Sequence, residues 1–323
     1  MNRIIEYGGI QSIPLYNCSA HSAEEWSRWN GVRHPFIGAF DILYGVIINI
    51  LYIPILAFMF QPEYFKLSCF KIMSFLGIVD MFAITVNSII TGVLTIQGAV
   101  FCTYPEFTYI VGMVVLGFWC CSCILAVLLV ANRLLDITRP EVAKFFFDGN
   151  RTYLVMTLPV IYGTCFCLFT TPVCFHSKYI TWLFDPMIFE GKSHEYTNIP
   201  HGVNNVLVVA ITCVLYALLY CTLGEKLKSI GWNNNSGQNF SLQILVQSSM
   251  ICSINMVASV IFVLMNFITM PIWVLMIAQK GWQLIHGAPV VIYLLLNKTI
   301  RKGFFERLGF EAETQVGVSS VVT

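Results

Sequence analysis

The sequence predicts an all-α membrane protein. It reads as a bundle of seven transmembrane helices, N-terminus outside and C-terminus inside, with a short amphipathic helix after the last span. Three observations carry this expectation. The chain is 57% hydrophobic and only 11% charged, with a mean hydropathy of +0.74, where a soluble domain carries about 25% charged residues. Apolar stretches long enough to cross a hydrocarbon core of about 30 Å recur along it. Lys and Arg cluster on alternate sides of those stretches.

The expected spans are Phe36–Phe60, Phe70–Leu94, Phe107–Ala131, Tyr153–Phe175, Val203–Leu223, Phe240–Ile268 and Ile272–Leu296. They are too long and too unalternating for barrel strands, so helices must satisfy the backbone. The count turns on the 51 residues between Lys228 and Lys280, which hold no Asp, Glu, Lys or Arg. One span needs roughly 20 apolar residues, so this run is most of two, broken at Asn266–Pro271. The first 35 residues are polar and lack the apolar stretch of a cleavable signal, which leaves the first span as the targeting signal. The sequence divides into an extracellular segment (1–35), the bundle (36–297), an amphipathic helix (298–308) and a cytoplasmic tail (309–323).

Orientation follows from the basic residues. One side carries Lys66, Lys71, Arg133, Arg139, Lys144, Arg151, Lys226, Lys228, Lys298, Arg301, Lys302 and Arg307. The other carries Arg3, Arg28, Arg33, Lys178 and Lys192. The richer side is cytoplasmic by the positive-inside bias. After the last span, Ile300, Phe304 and Leu308 repeat every four residues among basic ones, the pattern of a helix in the inner headgroup layer. The segment Gly231–Gln238 is rich in Asn, Ser and Gly and reads as a tight turn.

Charges within spans are few, as expected from a cost of roughly 2.5–3.5 kcal/mol each at the bilayer centre. Asp41, Asp80 and Lys280 are the clearest. Asp80 and Lys280 are expected to face the bundle interior. Lys280 is a candidate partner of Asp41 or Glu106, and Asp80 a candidate member of a buried polar network with Asn49, Asn87 or Asn255. Trp119, Gln279, Lys280, Trp282 and His286 are the ligand-pocket candidates, although aromatics at helical spacing are more often packing residues. Arg133 and Tyr293, four residues after Pro289, close spans 3 and 7 on the inner side and mark a switchable cytoplasmic face.

Other chemistry has little support. Net charge is +1, so no nucleic-acid partner is implied. No nucleophile–base pair, phosphate loop or paired catalytic carboxylates appear, so no enzyme and no cofactor is expected. Cys120, Cys121 and Cys123 lie too close together on one helix to converge on a metal. Of five Asn-x-Ser/Thr sequons, at Asn17, Asn150, Asn234, Asn239 and Asn297, only Asn17 falls outside and is the expected glycosylation acceptor. Cys18 and Cys102 are the outside cysteines and disulfide candidates, with Cys174 as a rival partner.

The chain resembles a G-protein-coupled receptor, and more closely the nematode serpentine receptors of class T. The resemblance covers about residues 12 to 310. It rests on Leu15-Tyr16-Asn17-Cys18, Cys69-Phe70-Lys71-Ile72-Met73, Leu76-Gly77-Ile78-Val79-Asp80, Gly98 with Phe101-Cys102 and Pro105, Asn132-Arg133-Leu134, Phe184-Asp185-Pro186, Asn204-Asn205, Leu242-Gln243, and Pro289 with Tyr293. It implies chemosensory reception of an unidentified small molecule at the plasma membrane, as in a sensory cilium, with a heterotrimeric G protein as partner. Asp80 and Arg133 match the aspartate of span 2 and the arginine at the foot of span 3 in rhodopsin-like receptors, and the resemblance assigns G-protein coupling to Asn132, Arg133 and Tyr293. There are departures. Asn132 stands where an acidic residue is usual, with Asp136 as its candidate substitute. Ala288-Pro289-Val290-Val291-Ile292-Tyr293 lacks the usual Asn and is one residue longer, and span 6 lacks Cys-Trp-x-Pro. The loop from His176 to Gly202 has no Cys for a disulfide to span 3. A small-solute transporter is the alternative class, though Pro54, Pro159 and Pro289 fall into no repeat. An opsin-like pigment is a third, set back by Lys280 lying nine residues before Pro289 rather than seven.

Overall fold

The computed structural model describes residues 2–229, 236–264, 271–307 and 309, with the side chains of 2, 219, 220 and 223–244 excepted. The chain is helical almost throughout. A short α1 (Asn2–Tyr7) and α2 (Ala23–Asn30) precede the first long helix, α3 (Pro35–Met59). After α4 (Pro62–Phe65) come α5 (Ser68–Ile84) and α6 (Thr91–Gln97), joined without a break by a π-helical turn over Thr85–Ile90. There follow α7 (Pro105–Thr138), α8 (Pro140–Phe147) and α9 (Arg151–Phe169). A hairpin of β1 (Cys174–His176) and β2 (Thr181–Leu183) leads to α10 (Ile199–Ser229), α11 (Ser236–Leu264), α12 (Ile272–Leu296) and α13 (Lys298–Arg307).

Six of these segments are long and apolar enough to cross a membrane: Pro35–Met59, Ser68–Gln97, Pro105–Thr138, Arg151–Phe169, Ile199–Leu218 and Leu245–Leu264. At 25 residues α12 is as long as α3, but Gln279, Lys280, Gln283 and His286 dilute its hydropathy. This helix thus carries the polar residues of interest. The exposed faces have the inverted pattern of a lipid-embedded bundle. On α3, Phe36, Phe40, Leu43, Ile47 and Ile50 point outward, while Gly38, Asp41, Gly45, Ile48 and Tyr52 point inward.

Close helix packing rests on small residues. A Cβ on Gly38 would lie 2.5 Å from the Gly92 carbonyl oxygen, and one on Gly163 would lie 2.6 Å from that of Gly117. These contacts seat α3 on α6 and α7 on α9. One buried cluster, around Tyr52, Phe70, Leu125 and Tyr293, fills the end of the bundle where α13 docks. A second, around Trp119, Phe175, Trp182 and Trp282, fills the middle. A third joins Ile13, Tyr16 and Trp26 of the N-terminal segment to Phe101, Tyr109 and Tyr196.

The structure corrects two expected boundaries and shows where the amphipathic helix lies. The fourth span ends at Phe169, not Phe175, because the backbone turns extended at Thr170 ahead of Pro172, and Cys174–His176 pairs with Thr181–Leu183. The third runs on to Thr138, so Arg133 and Asp136 lie within helix. The amphipathic helix packs on the protein: Ile300 is fully buried, Phe304 nearly so, and Gly303 lies against the Phe58 ring. The expected break at Asn266–Pro271 lies outside the described residues except for Pro271. The same holds for 231–235 of the Gly231–Gln238 turn, whose last three residues instead open α11, for Leu308, and for the tail beyond Gly309.

Candidate functional site

The hairpin descends into the bundle rather than covering it. Trp182 donates its indole N–H to Thr91 Oγ1 at 2.8 Å, and Thr181 Oγ1 donates to Gln279 Oε1 at 3.0 Å. The side chains of Thr181 and Trp182 are both buried. Gln279 and Gln283 each donate an amide N–H to the carbonyl oxygen of Asn87, both at 2.9 Å. Asn87 lies in the π-helical turn. A π turn departs from the regular helical ladder, and here two glutamines of α12 donate to one of its carbonyl oxygens.

Further along the same face of α12, His286 meets Asp80. Nδ1 of His286 lies 2.7 Å from Asp80 Oδ1, and neither side chain is more than 2% exposed. The tautomer follows from the second ring nitrogen. Trp282 Nε1 donates to His286 Nε2 at 3.2 Å, and an indole N–H cannot accept. His286 therefore bears its proton on Nδ1 and donates it to Asp80. The Tyr52 hydroxyl lies 3.0 Å from Asp80 Oδ2 and 3.0 Å from the His286 carbonyl oxygen. The Trp119 ring meets the imidazole edge-on at 6.2 Å. Its indole donates to Asn205 Oδ1 at 3.2 Å, and Asn205 receives a second bond from Asn204 and touches His201. Asn204 in turn accepts from the Tyr162 hydroxyl at 3.0 Å.

Of the ligand-pocket candidates, Trp119, Trp282 and His286 thus converge, and Gln279 stands above them under the hairpin. Lys280 does not join them, which corrects the expectation that it faces the interior. It lies on the seam between α3 and α12, paired with Asp41, its side chain 32% exposed. The buried network also differs from the expected one. Asp80 bonds His286 and Tyr52, not Asn49 or Asn255. Asn49 bonds Thr85 at 3.3 Å, and Thr85 is five residues beyond Asp80, about 7.5 Å along a helix. Asn255 is buried on α11 with its Oδ1 unpartnered among the described residues. Tyr52, one turn beyond Asn49, is the residue that reaches Asp80. An aromatic in an apolar run reads as packing, so only its i+3 spacing from Asn49 could have signalled it.

At the opposite end of the bundle, Arg133 is 8% exposed. It pairs with Asp136 at 2.5 Å and donates to Asn132 Oδ1 through Nε at 3.0 Å. Asn132 Nδ2 donates to Ser68 Oγ at 3.1 Å, which ties this end of α7 to the start of α5. Tyr293 is fully buried nearby in sequence to α13, and its hydroxyl has no hydrogen-bond partner among the described residues. No bond links it to Arg133.

The hairpin end is braced by a disulfide between Cys18 and Cys102, with Cα atoms 5.5 Å apart; Cys174 is a free, buried thiol. Burial raises the Cys174 thiol well above the usual range, helped by the charge of Asp185. Burial lowers His176 to about 4, reinforced by Lys178 and opposed by Asp185. Asn17 sits beside the disulfide, half-buried, its Oδ1 accepting the Ser19 N–H at 2.8 Å. Two clefts flank these groups. One of about 290 Å³ lies between α11 and α12, lined by Ala258, Phe262, Ala278 and Ile285. Another of about 530 Å³ lies at the hairpin turn, lined by Trp29, His176, Tyr179 and Asp185. Among the described residues no three His, Cys, Asp or Glu side chains come together as a metal site.

Two comparisons agree on what this architecture is. The profile of the family described as "Serpentine type 7TM GPCR chemoreceptor Srt" matches residues 3–316. Serpentine receptor class T-55 of Caenorhabditis elegans is 28% identical over 297 residues, covering 91% of this chain and 80% of that protein. The chain is therefore an integral, multi-pass membrane protein that belongs to the Srt family of serpentine seven-transmembrane chemoreceptors.

Proposed function

We propose that this chemoreceptor detects an external small molecule at its hairpin end and signals to a heterotrimeric G protein at its Arg133 end. The orientation rests on the excess of Lys and Arg at the Arg133 end. The observation that carries the reading is the single polar face of α12. Gln279 holds the hairpin, Gln283 holds the π turn, and His286 holds Asp80 through its ring and the Tyr52 hydroxyl through its carbonyl oxygen. A ligand that displaces the hairpin acts first on Gln279, and α12 passes the shift to the cluster around Tyr293. Ligand binding then moves a pre-existing equilibrium between two bundle arrangements. At the far end, Asp136 takes the place of the missing acidic neighbour and holds Arg133 until that shift releases it. Asn17 is the proposed glycosylation acceptor, and the plasma membrane the proposed location.

The test is a screen of water-soluble and volatile small molecules on cells expressing the receptor, read as G-protein activation. An activating compound should lose its effect on Arg133→Ala while surface expression stays near normal. Full signalling by that variant would overturn the assignment of Arg133, and uptake of the compound into receptor vesicles would favour a transporter.

A further inference from the structure

We propose that the seam between α3 and α12 is a membrane-facing binding site for a single-chain carboxylic acid, its carboxyl group held by Lys280. The exposed face of α12 runs through Trp273, Ile277, Leu284, Val291 and Leu295. Lys280 falls on that stripe, at the i+3 position from Ile277 and four before Leu284. Its chain is 32% exposed, on a surface that faces hydrocarbon. Phe36, Phe40, Trp273 and Ile277 line an open groove of about 510 Å³ with Lys280 as its one charge.

Hydrogen-bond accounting sets what a ligand must supply. An ammonium group has three donors and no acceptor. Asp41, fully buried behind the seam, accepts one of them. The Phe40 ring lies 6.0 Å from the nitrogen. No other side chain or carbonyl among the described residues is bonded to it. In hydrocarbon no water replaces the missing acceptors, and unsatisfied donors there are costly. A carboxyl group lying in the groove supplies them, and its alkyl chain covers Phe36, Phe40, Trp273 and Ile277. Depth selects the class. Lys280 is eight residues into α12, about 12 Å below the helix end at 1.5 Å per residue. A free acid with one chain reaches that depth, whereas a phospholipid's phosphate is tethered at the headgroup layer. The proposal concerns binding alone and stands whichever way the signalling test falls.

The experiment uses the full receptor in phosphatidylcholine nanodiscs, titrated with dibromostearic acid as a quencher of tryptophan fluorescence. Saturable quenching that disappears in Trp273→Phe is expected. The methyl ester of the same acid, whose neutral carbonyl accepts from the ammonium without a carboxylate's charge, should bind about tenfold or more weakly. The Asp41→Asn/Lys280→Met double variant, which leaves no buried charge unpaired, should lose the preference for acid over ester, and Lys280→Arg should keep it. Equal quenching by acid and ester in the wild type would overturn the proposal, as would an intact preference in the double variant. Competition by phosphatidic acid as strong as by oleic acid would overturn the single-chain assignment. If the double variant does not fold, the comparison of acid and ester in the wild type decides.

Discussion

Replacing His286 with Leu should be among the most damaging single substitutions in the bundle, and replacing Asp80 as well should recover part of the loss. The reason is the geometry of the pair. Nδ1 of His286 and Oδ1 of Asp80 are 2.7 Å apart, at 0% and 2% exposure. His286→Leu removes that donor and the acceptor for Trp282, leaving Asp80 with Tyr52 alone. Stranding one partner of a buried pair costs about 3–5 kcal/mol. Asp80→Leu strands only a neutral imidazole N–H, about 1–3 kcal/mol. With both replaced, no polar group of the pair remains, and an apolar substitute for a buried pair is often close to neutral. The double variant should therefore be more stable than His286→Leu alone. Thermal unfolding of the four purified proteins in one detergent reads this directly. Additivity of the two single losses within about 0.5 kcal/mol would refute the reasoning, because sites that do not interact add in that way.

Three further outcomes follow from the same structure. His176 is held at about 4 by burial against an ordinary value near 6.5, so the unfolded chain takes up its proton first. Stability is complete above pH 6.5 and falls as pH drops towards 4, by up to about 3 kcal/mol; pH-dependent thermal scans should lose this component in His176→Gln. Gly163→Ala puts a Cβ 2.6 Å from the Gly117 carbonyl oxygen and 2.9 Å from Cys121 Cβ, so α7 and α9 must part at a cost of about 1–3 kcal/mol, seen as a lower unfolding temperature. The Cys18→Ser/Cys102→Ser variant opens a link across a sequence separation of 84. A chain-entropy estimate puts the loss near 4–5 kcal/mol, and reductant should lower the unfolding temperature of the wild type but not of that variant.

Much of the fold was legible because lipid imposes it. Seven runs of apolar residues can only be helices in a bilayer, and the seventh expected span, Ile272–Leu296, coincides with α12. The fourth was over-extended because Val173, Cys174 and Phe175 are apolar whether they continue a helix or enter a strand, and periodicity does not separate the two over so short a run. The π turn left no trace, since Thr85–Ile90 contains neither Gly nor Pro. The site was legible by type more than by direction. Trp119, Trp282 and His286 were recognisable as polar or amphipathic groups within spans, and the structure gathers them. Lys280 was equally conspicuous, yet its position between Ile277 and Leu284 on the lipid stripe becomes decisive only once burial shows which face of α12 is outward. The partner of Asp80 was misjudged because Asn49, Asn87 and Asn255 are the obvious amides. The pairing depends on His286 and Tyr52, which lie 206 and 28 residues away from it.

Which end of the bundle meets the outside decides where a ligand binds and where a G protein docks. The direct measurement is antibody accessibility of epitope tags fused before Met1 and after Thr323 in cells expressing the receptor. The account predicts staining of the N-terminal tag on intact cells and of the C-terminal tag only after permeabilisation. The reverse pattern, or both tags on the same side, would contradict it.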